Sequence, residues 1–393
     1  MSLVMFWVAM ATIVYTYLIY PIIILLRGIL WVRPYKTADI TPRVSLIIAA
    51  YNESEGIGAK IENILALDYP SEQLEVVIAS DGSNDGTDAI VRGYERANIR
   101  LLSLPRQGKA PALNAAVAAS SGEILVFSDA NSMYAPNAIR ELVRHFAAPE
   151  VGGVAGNQVY VKKKGDGGLT SAGEQSYWDF DRQLKQLQSK SGNVISATGA
   201  IYAIRRSLFH PVMGGVTDDF TISTDVIVQH SRLVFSPDAI AYEPVAGAGG
   251  VEFGRKVRVI TRGLRAVVVR RTLLNPFRYG FYSLQLFSHK VLRRLVVFPL
   301  LLLLVTSPFL WSKGLFYQLV TLGQALFYGF AALGWIMDKT GSRRLKIFTI
   351  PFYFCMVNYA SLLAALNVVR GNRIERWEPQ RHANTKPVAR DAA

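Results

Sequence analysis

The sequence is poor in cysteine and in charged residues. The single cysteine, Cys355, excludes an intrachain disulfide and a cysteine-based zinc finger. Charged residues make up 18% of the 393 residues and hydrophobic residues 51%, whereas soluble domains are about a quarter charged. So apolar a chain can bury enough surface to fold, which excludes disorder. We therefore expect part of the chain to lie in lipid.

Four stretches contain no charged residue and approach the length of a helix that crosses a bilayer, which is about 20 residues. The first has neither a basic start nor a small-residue cleavage site, so we interpret it as a retained anchor and not as a signal peptide. The stretches predict one N-terminal transmembrane helix within residues 1–30 and about three C-terminal ones within residues 295–370. They are Ser2–Leu26, Leu295–Trp311, Leu315–Met337 and Ile347–Val369.

Lysine and arginine residues at the ends of these stretches predict their orientation. They follow the first stretch, precede the second and separate the third from the fourth, which places residues 27–294 in the cytoplasm. This arrangement predicts a multi-pass protein of the cell inner membrane. The tail, 371–393, is also basic but would lie outside if all four stretches cross. The sequence leaves open whether the last stretch, which contains Pro351, crosses fully.

Between the anchors, in residues 40–252, short apolar runs alternate with helical patterns. The runs are continuous and rich in Val and Ile, as in the buried strands of parallel sheets. They predict an α/β fold with a mostly parallel, doubly wound, Rossmann-like sheet. The four runs are Val44–Ala49, Leu74–Ala79, Ile99–Leu104 and Ile124–Ser128.

Polar residues follow the ends of these predicted strands. Ligands of such sheets bind at the carboxyl ends of the strands, so we expect Asn52, Glu53, Asp81 and Asp129 to line one cleft. The sequence has no Gly-x-Gly-x-x-Gly motif and no phosphate-loop lysine, which disfavours dinucleotide-binding and ATPase functions.

Six short segments, taken in order, resemble the family 2 glycosyltransferases, whose cytoplasmic domain has the GT-A nucleotide-sugar fold. The resemblance covers roughly residues 43–265, and the flanking apolar helices suit the membrane-integrated branch, which includes hyaluronan, chitin-oligosaccharide and cellulose synthases. The segments are Ser45–Glu53 (SLIIAAYNE), Ile78–Ser83 (IASDGS), Gly108–Asn114 (GKAPALN), Phe127–Asn131 (FSDAN), Thr198–Ala200 (TGA) and Thr217–Asp219 (TDD).

The resemblance implies a UDP-sugar donor held at the strand ends. In the family an aspartate at the position of Asp81 accepts hydrogen bonds from the base. The alternative role is a turn or helix cap, which Asp85 and Ser83 would fill equally well. Because Asp81 and Asp129 follow separate strands of one sheet, we favour the functional role for both. The other donor-binding residues that the resemblance implies are Ala50, Tyr51, Glu53, Lys109 and Asp129.

A metal ion and a general base are implied by the same resemblance. Asp129 corresponds to the metal-binding Asp-x-Asp motif, whose last position is here Asn131. Mg²⁺ or Mn²⁺ would bind through one or two carboxylates and the diphosphate. Asp219 corresponds to the base that takes the acceptor proton, with Asp218 beside it; one of the two would cap the following helix while the other catalyses.

Residues 253–294 are basic and then amphipathic, which predicts helices at the membrane surface. Arg258, Arg262 and Arg265 share one helical face. They would clamp the leaving diphosphate or lie on anionic lipid headgroups, and the sequence favours neither. The Gln-x-x-Arg-Trp motif of processive synthases is missing here. Its absence favours single addition over polymerisation.

These observations predict an inverting, metal-dependent transfer of a sugar from a UDP-sugar to a saccharide or lipid-linked acceptor, in the synthesis of exopolysaccharide or cell-surface glycan. The alternative within the class is single addition to a polyprenyl-linked or glycolipid acceptor. Outside it, the chain would be a non-catalytic, nucleotide-sugar-binding subunit of a synthase complex. Expected partners are membrane lipids and proteins of synthesis or export. No nucleic acid is expected, because no recognised nucleic-acid module is present.

Overall fold

The computed structural model describes residues 1–95, 98–161, 169–244, 249–340 and 345–372. The basic tail, 371–393, thus lies outside the described residues except for its first two. The described strands form one eight-stranded sheet in the order β3-β2-β1-β4-β7-β6-β8-β5. The strands are β1 (Val44–Ala50), β2 (Leu74–Asp81), β3 (Ile99–Leu104), β4 (Ile124–Asp129), β5 (Met133–Tyr134), β6 (Val151–Val161), β7 (Tyr202–Arg205) and β8 (Arg232–Pro244).

The first half of the sheet confirms the predicted parallel arrangement. β1 pairs in parallel with β2 and β4, and β2 pairs in parallel with β3. The second half is mixed, which the sequence did not predict. β7 is antiparallel to both β4 and β6, β6 runs parallel to β8, and β5 is antiparallel to β8. The sheet is therefore parallel only where the apolar runs of the sequence are continuous.

Fifteen α-helices lie in the described residues. They are α1 (Ser2–Val14), α2 (Tyr20–Leu30), α3 (Ile57–Leu65), α4 (Thr87–Arg92), α5 (Lys109–Ala118), α6 (Ala138–Val143), α7 (Leu169–Ser191), α8 (Asp218–Val228), α9 (Gly249–Val269), α10 (Pro276–Tyr279), α11 (Phe281–Leu286), α12 (Arg293–Leu295), α13 (Val297–Thr306), α14 (Leu315–Thr340) and α15 (Lys346–Val369).

The sheet is covered on both faces, because alternate side chains of each strand point to opposite sides. Leu46 and Ile48 of β1 pack with α3, α4 and α6 in one hydrophobic cluster. Ile47 and Ala49 pack with α5, α8, α9 and α11 in a second cluster. The residues predicted to form an interfacial helix therefore contribute in part to the core of the sheet domain, and Leu286 of α11 is fully buried there.

Three helical segments are long and apolar enough to cross a membrane, within the part of the chain that the structure describes. They are Ser2–Leu30, Leu315–Thr340 and Lys346–Val369. The first joins α1 and α2 through a π-helical turn, Tyr15–Ile19. The predicted N-terminal anchor and two of the predicted C-terminal helices thus agree with the structure.

For the remaining predicted C-terminal span, Leu295–Trp311, the structure has no single α-helix of membrane-spanning length, so its crossing stays a prediction. Within Leu295–Trp311 the structure has only the ten-residue helix α13, followed by a 3₁₀ helix at Pro308–Lys313. At 1.5 Å per residue α13 is about 15 Å long, half the thickness of a hydrocarbon core. Pro308 cannot donate a backbone hydrogen bond, and the α-helix ends two residues before it.

The anchor is docked on the sheet domain through α7. Tyr20 and Ile24 of α2 are buried against Leu184 of α7. A Cβ at Gly28 would lie 2.8 Å from Leu187 Cδ2, so only glycine permits the helices to approach this closely. At the other end of the chain α15 packs on α9, with Phe253 stacked on Tyr359 at 5.7 Å between ring centroids.

Candidate active site

Lys109 lies between carboxylates that come from distant parts of the chain. It is the first residue of α5, and its Nζ lies 2.6 Å from Asp129 Oδ1 and 3.0 Å from Asp218 Oδ2. Asp129 ends β4 beside Ala49 of β1, while Asp218 begins α8. Burial would lower the pKa of Lys109, but the two carboxylates raise it above its ordinary value, so the ammonium form is stabilised.

Asp81 is joined to the same group by the segment before Lys109. Its carboxylate accepts hydrogen bonds from the backbone N–H of Gln107 at 2.7 Å and of Gly108 at 2.9 Å, and it forms an ion pair with Arg106. The Arg106 guanidinium lies over the ring of Tyr51, 3.4 Å from its centroid. Asp81 thus orders the start of α5 and the Tyr51 surface. Its contact with a nucleotide base stays a prediction.

Glu53 faces the site from the loop after β1. Its backbone N–H donates to Thr87 Oγ1 at 2.9 Å. Burial, and then the negative charges of Asp129 and Asp85, raise the pKa of Glu53 to about 7. The predicted donor-binding residue Ala50 ends β1 and is fully buried. The carboxyl ends of β1, β2 and β4 therefore do bring the predicted residues to one edge of the sheet, as parallel strands require.

Asp129 is held from behind by the segment Thr198-Gly199-Ala200. The Asp129 N–H donates to the Gly199 carbonyl at 3.1 Å. A Cβ at Gly199 would lie 2.7 Å from Asp129 Oδ2, so glycine leaves the space that the carboxylate occupies. The sequence showed this segment only as part of the family resemblance, and the structure gives it a physical role.

The residues at Asp129 fit a metal ion that the diphosphate helps to bind. Asp129 is partly exposed, and Asn131 lies in the exposed turn after it. In the described ranges no three His, Cys, Asp or Glu residues form a cage for a metal. Mg²⁺ and Mn²⁺ in nucleotide sites are commonly bound by one or two protein ligands together with phosphate oxygens. Metal binding by Asp129 and Asn131 remains a prediction.

Asp218 and Asp219, which begin α8, differ in their charge environment. Burial would raise the pKa of Asp218, but the cations of Lys109 and Arg262 lower it. Burial and the charge of Asp218 raise the pKa of Asp219 to about 6. Asp219 Oδ1 accepts the backbone N–H of Phe220 at 2.7 Å. A carboxylate with a raised pKa beside a cavity suits a general base.

Of the predicted arginine face on α9, Arg262 is the member that the structure ties to this group. Its guanidinium donates to the Val216 carbonyl at 2.6 Å, directly before the Thr-Asp-Asp segment. Arg258 lies one turn earlier on α9. The structure therefore brings Arg262 close to Asp218, while binding of the diphosphate by Arg258 and Arg262 stays a prediction.

Lys60 and Glu243 belong to the site but were not predicted. The Lys60 ammonium is fully buried and donates to the carbonyl of Ser132, and the Ser132 hydroxyl donates to Glu243. Burial lowers the pKa of Lys60 to about 7, while burial and the Asp129 charge raise that of Glu243. Both fix the turn that follows Asp129. Lys60 falls on the apolar face of α3 with Ile57 and Ile64, a signal that could have found it.

A cavity of about 800 Å³ extends from Asp219 to helix α15. Residues of α7, α8 and α9, of the π-helical turn Phe287–Leu292, and of α15 line it. His289, which the sequence placed at the membrane surface, is instead buried in its wall, with Nε2 3.4 Å from Asp181 Oδ1. We call it the interfacial cavity.

Comparison with solved structures shows the fold. The chain superimposes on a mannosyltransferase of Pyrobaculum calidifontis, PcManGT, solved in complex with GDP-Man and Mn²⁺, with a TM-score of 0.67. The superposition covers 94% of this chain and 100% of the other at 23% sequence identity. The sheet and its helices therefore form a GT-A-like core, with three candidate membrane-spanning helices in the same chain.

Comparison with curated proteins identifies relatives. The chain is 34% identical over 181 residues to an N-acetylglucosaminyltransferase of Rhizobium meliloti (strain 1021), covering 44% of this chain and 42% of that protein. It is 29% identical over 206 residues to a poly-beta-1,6-N-acetyl-D-glucosamine synthase of Staphylococcus epidermidis, covering 52% and 48%. The chain thus spans less than half the length of these relatives.

The sequence model of the family described as glycosyl transferase family 2 matches residues 45–212. This range contains β1 to β7, with Asp81, Lys109 and Asp129, and ends just before the Thr-Asp-Asp segment. Within the α/β unit of this chain, residues 45–212 thus match a glycosyl transferase family 2 domain.

Proposed function

We propose that the protein transfers a sugar from a UDP-sugar to an acceptor hydroxyl at the cytoplasmic face of the inner membrane, with inversion at the anomeric carbon. The observation that carries the proposal is the Lys109 bridge. In it the Lys109 ammonium joins Asp129 to Asp218. The neighbour of Asp218, Asp219, has a raised pKa and lines the interfacial cavity. The names of the relatives favour N-acetylglucosamine as the sugar.

In this proposal the residues divide the work by charge. The Asp219 carboxylate takes the proton of the acceptor hydroxyl as its oxygen bonds to the anomeric carbon, and the bond from that carbon to the diphosphate breaks. The cations of Lys109 and Arg262 would stabilise the negative charge of the departing UDP. A divalent ion held by Asp129 and Asn131 would supply further positive charge at the diphosphate.

Replacement of Asp219 tests the base. Asp219→Asn keeps the size and the hydrogen bond to Phe220 but cannot take a proton, so we expect UDP-sugar affinity to be retained and transfer to fall by about 10²-fold or more. UDP release and UDP-sugar binding are measured on purified protein. Asp39→Asn, whose carboxylate is exposed, is the control and should keep full activity. An Asp219→Asn variant as active as the control would remove Asp219 from this role.

The same assay separates the competing functions. UDP-sugars are screened for UDP release in Mg²⁺ and in Mn²⁺. Detection of UDP release would exclude a non-catalytic nucleotide-sugar-binding subunit. The size of the product separates the two transferase functions, since a ladder of products means a polymerase and one added sugar means single addition. The relatives' names favour a polymer, and the missing Gln-x-x-Arg-Trp motif favours single addition.

A further inference from the structure

The interfacial cavity has two unlike walls. At one end lies Asp219, the proposed base. At the other end Ile350, Phe354 and Val357 belong to α15, one of the helices apolar enough to cross a membrane. A ligand that fills this cavity therefore contacts both the reacting group and a surface suited to a hydrocarbon chain.

The charge of the cavity wall is one-sided. Seven lysine and arginine side chains line it against two carboxylates, those of Asp181 and Asp219. Asp181 is already compensated, because Lys185 Nζ lies 3.1 Å from its Oδ2 and His289 lies against its Oδ1. The wall thus has an excess of positive charge that an anionic ligand would neutralise.

Lys290 is the cation of this wall whose charge acts on the proposed base, Asp219. Its ammonium lines the cavity and, among the described residues, forms no hydrogen bond and no ion pair. The ring of Phe220 lies beside it, with its centroid 6.0 Å from Nζ, and the charges of Asp181 and Asp219 act on it at longer range. Phe220 directly follows Asp219. Lys290 is half-buried, and a charged group that is partly withdrawn from water gains from a partner of opposite charge. The position is therefore suited to an anion close to the proposed base.

We propose that the interfacial cavity binds the acceptor as a phosphate-bearing lipid, with the phosphate at Lys290, the hydrocarbon chain along α15 and the accepting hydroxyl facing Asp219. This rests on the proposed function, whose acceptor it specifies. The hydroxyl oxygen bonds to the anomeric carbon, its proton passes to Asp219, and the donor's sugar–phosphate bond breaks with UDP leaving. A soluble neutral saccharide would need neither the ammonium nor the apolar wall.

Binding without donor tests the proposal separately from catalysis. A fluorescent C15 isoprenyl phosphate is titrated against the full-length protein in detergent. The competitors are the unlabelled phosphate, the C15 alcohol, phosphatidylglycerol and inorganic phosphate. We expect the unlabelled phosphate to compete best. Lys290→Gln should weaken binding of the isoprenyl phosphate by about tenfold or more, the loss expected for one charge-assisted contact, and leave the alcohol unaffected. Lys36→Gln, an exposed lysine after the anchor, should change nothing.

Two further variants keep the test decisive. Lys290→Arg should restore binding, and Val357→Trp, which fills the cavity, should abolish it; retained UDP-sugar binding shows that each variant is folded. Equal affinity of Lys290→Gln and Lys36→Gln would overturn the proposal. So would equal competition by phosphatidylglycerol, which means a general headgroup site, or by inorganic phosphate, which means a site for the free anion. If the lipid binds as expected but no UDP-sugar is turned over, the proposed function fails and the binding site stands.

Discussion

Asp218 and Asp219 are neighbours in sequence, yet the protein gives them opposite protonation behaviour. Lys109 lies 3.0 Å from Asp218 and lowers its pKa, and the fixed negative charge of Asp218 then adds to the effect of burial on Asp219. Asp218 thus stays ionised, whereas Asp219 binds a proton more readily than an ordinary aspartate. Such a division of roles between paired acids is common in active sites.

The pKa of Asp219 predicts the acidic limb of the pH–rate profile. A general base works only when deprotonated. With a pKa of about 6 that form is nearly complete at pH 8 and is lost as the pH falls through 6. We expect kcat to be level above about pH 7 and to fall about tenfold per pH unit below about 5.5. Initial rates at saturating donor measure this, with activity recovered on return to pH 8 as the control. A rate still level at pH 5 would contradict it.

Gly199 offers a second test, at the metal end of the site. Gly199→Ala places a methyl group 2.7 Å from Asp129 Oδ2, so the carboxylate must move. We expect weaker Mn²⁺-dependent UDP-sugar binding, by about tenfold, with little loss of thermal stability. Calorimetric titration measures the affinity. Gly192→Ala, where the added methyl group meets nothing within 4 Å, is the matched control. Equal affinities in the two variants would show that the position of Asp129 is not limiting.

Helices α14 and α15 pack against each other at Gly334. A Cβ there would meet the Phe348 carbonyl and lie 2.9 Å from Phe352 Cβ. Small residues at such crossings let membrane helices approach each other. The pair also fixes α15 in the wall of the interfacial cavity.

A larger residue at this crossing should loosen the pair. Gly334→Leu overpacks the contact, which costs about 1–3 kcal/mol, so we expect a lower midpoint of thermal unfolding in detergent. Gly329→Leu, on the same helix but with nothing within 4 Å of an added Cβ, should unfold like the unmodified protein. If the two variants are equally stable, the crossing does not determine the stability of α14 and α15.

The elements that sequence predicts are those whose signal is local. β1 to β4 were found because buried parallel strands are continuous apolar runs. β6 contains Gly152, Gly153 and Gly156, and β8 contains polar residues and prolines between its apolar ones. Neither strand is therefore a continuous apolar run in the sequence. Of the candidate site, Asp81, Asp129 and Asp219 were predicted from motifs at strand and helix ends, and their roles stay predictions. Lys60 gives a local signal, as a lysine on the apolar face of α3, but its partner Ser132 and the neighbouring Glu243 are distant in sequence, and only the fold brings the three together.

In the whole molecule, the segment that packs beside the anchor forms one long helical stretch, although it is divided into several short elements. The backbone stays helical from Phe281 to Thr306, through the π-helical turn Phe287–Leu292, α12 and α13. It runs antiparallel to the anchor. Phe281 contacts Arg27, and Tyr15 shares a hydrogen bond of 2.8 Å with Ser288. At the far end Leu303 packs with Phe6 and Ala9.

This antiparallel pairing predicts that the chain crosses the membrane between Arg294 and Leu315, although α13 alone is too short. Trp7 stacks on Phe316 at the far end, so Ser312 should lie on the face opposite the catalytic domain. In a Cys355→Ser background, an impermeant maleimide added to intact cells should label Ser312→Cys. It should label Lys36→Cys only after permeabilisation. Labelling of both from the same side would mean that no crossing occurs here.

The packing of the anchor on α7 affects how a soluble fragment of the protein would behave. A fragment that begins after Leu30, made to obtain a water-soluble enzyme, would retain every strand of the sheet. It would expose Leu184 and Leu187 of α7 to solvent, because the anchor residues that cover them, Tyr20, Ile24 and Gly28, would be missing. We expect such a fragment to aggregate or to require detergent. The anchor is therefore a part of the folded enzyme and not only a membrane tether.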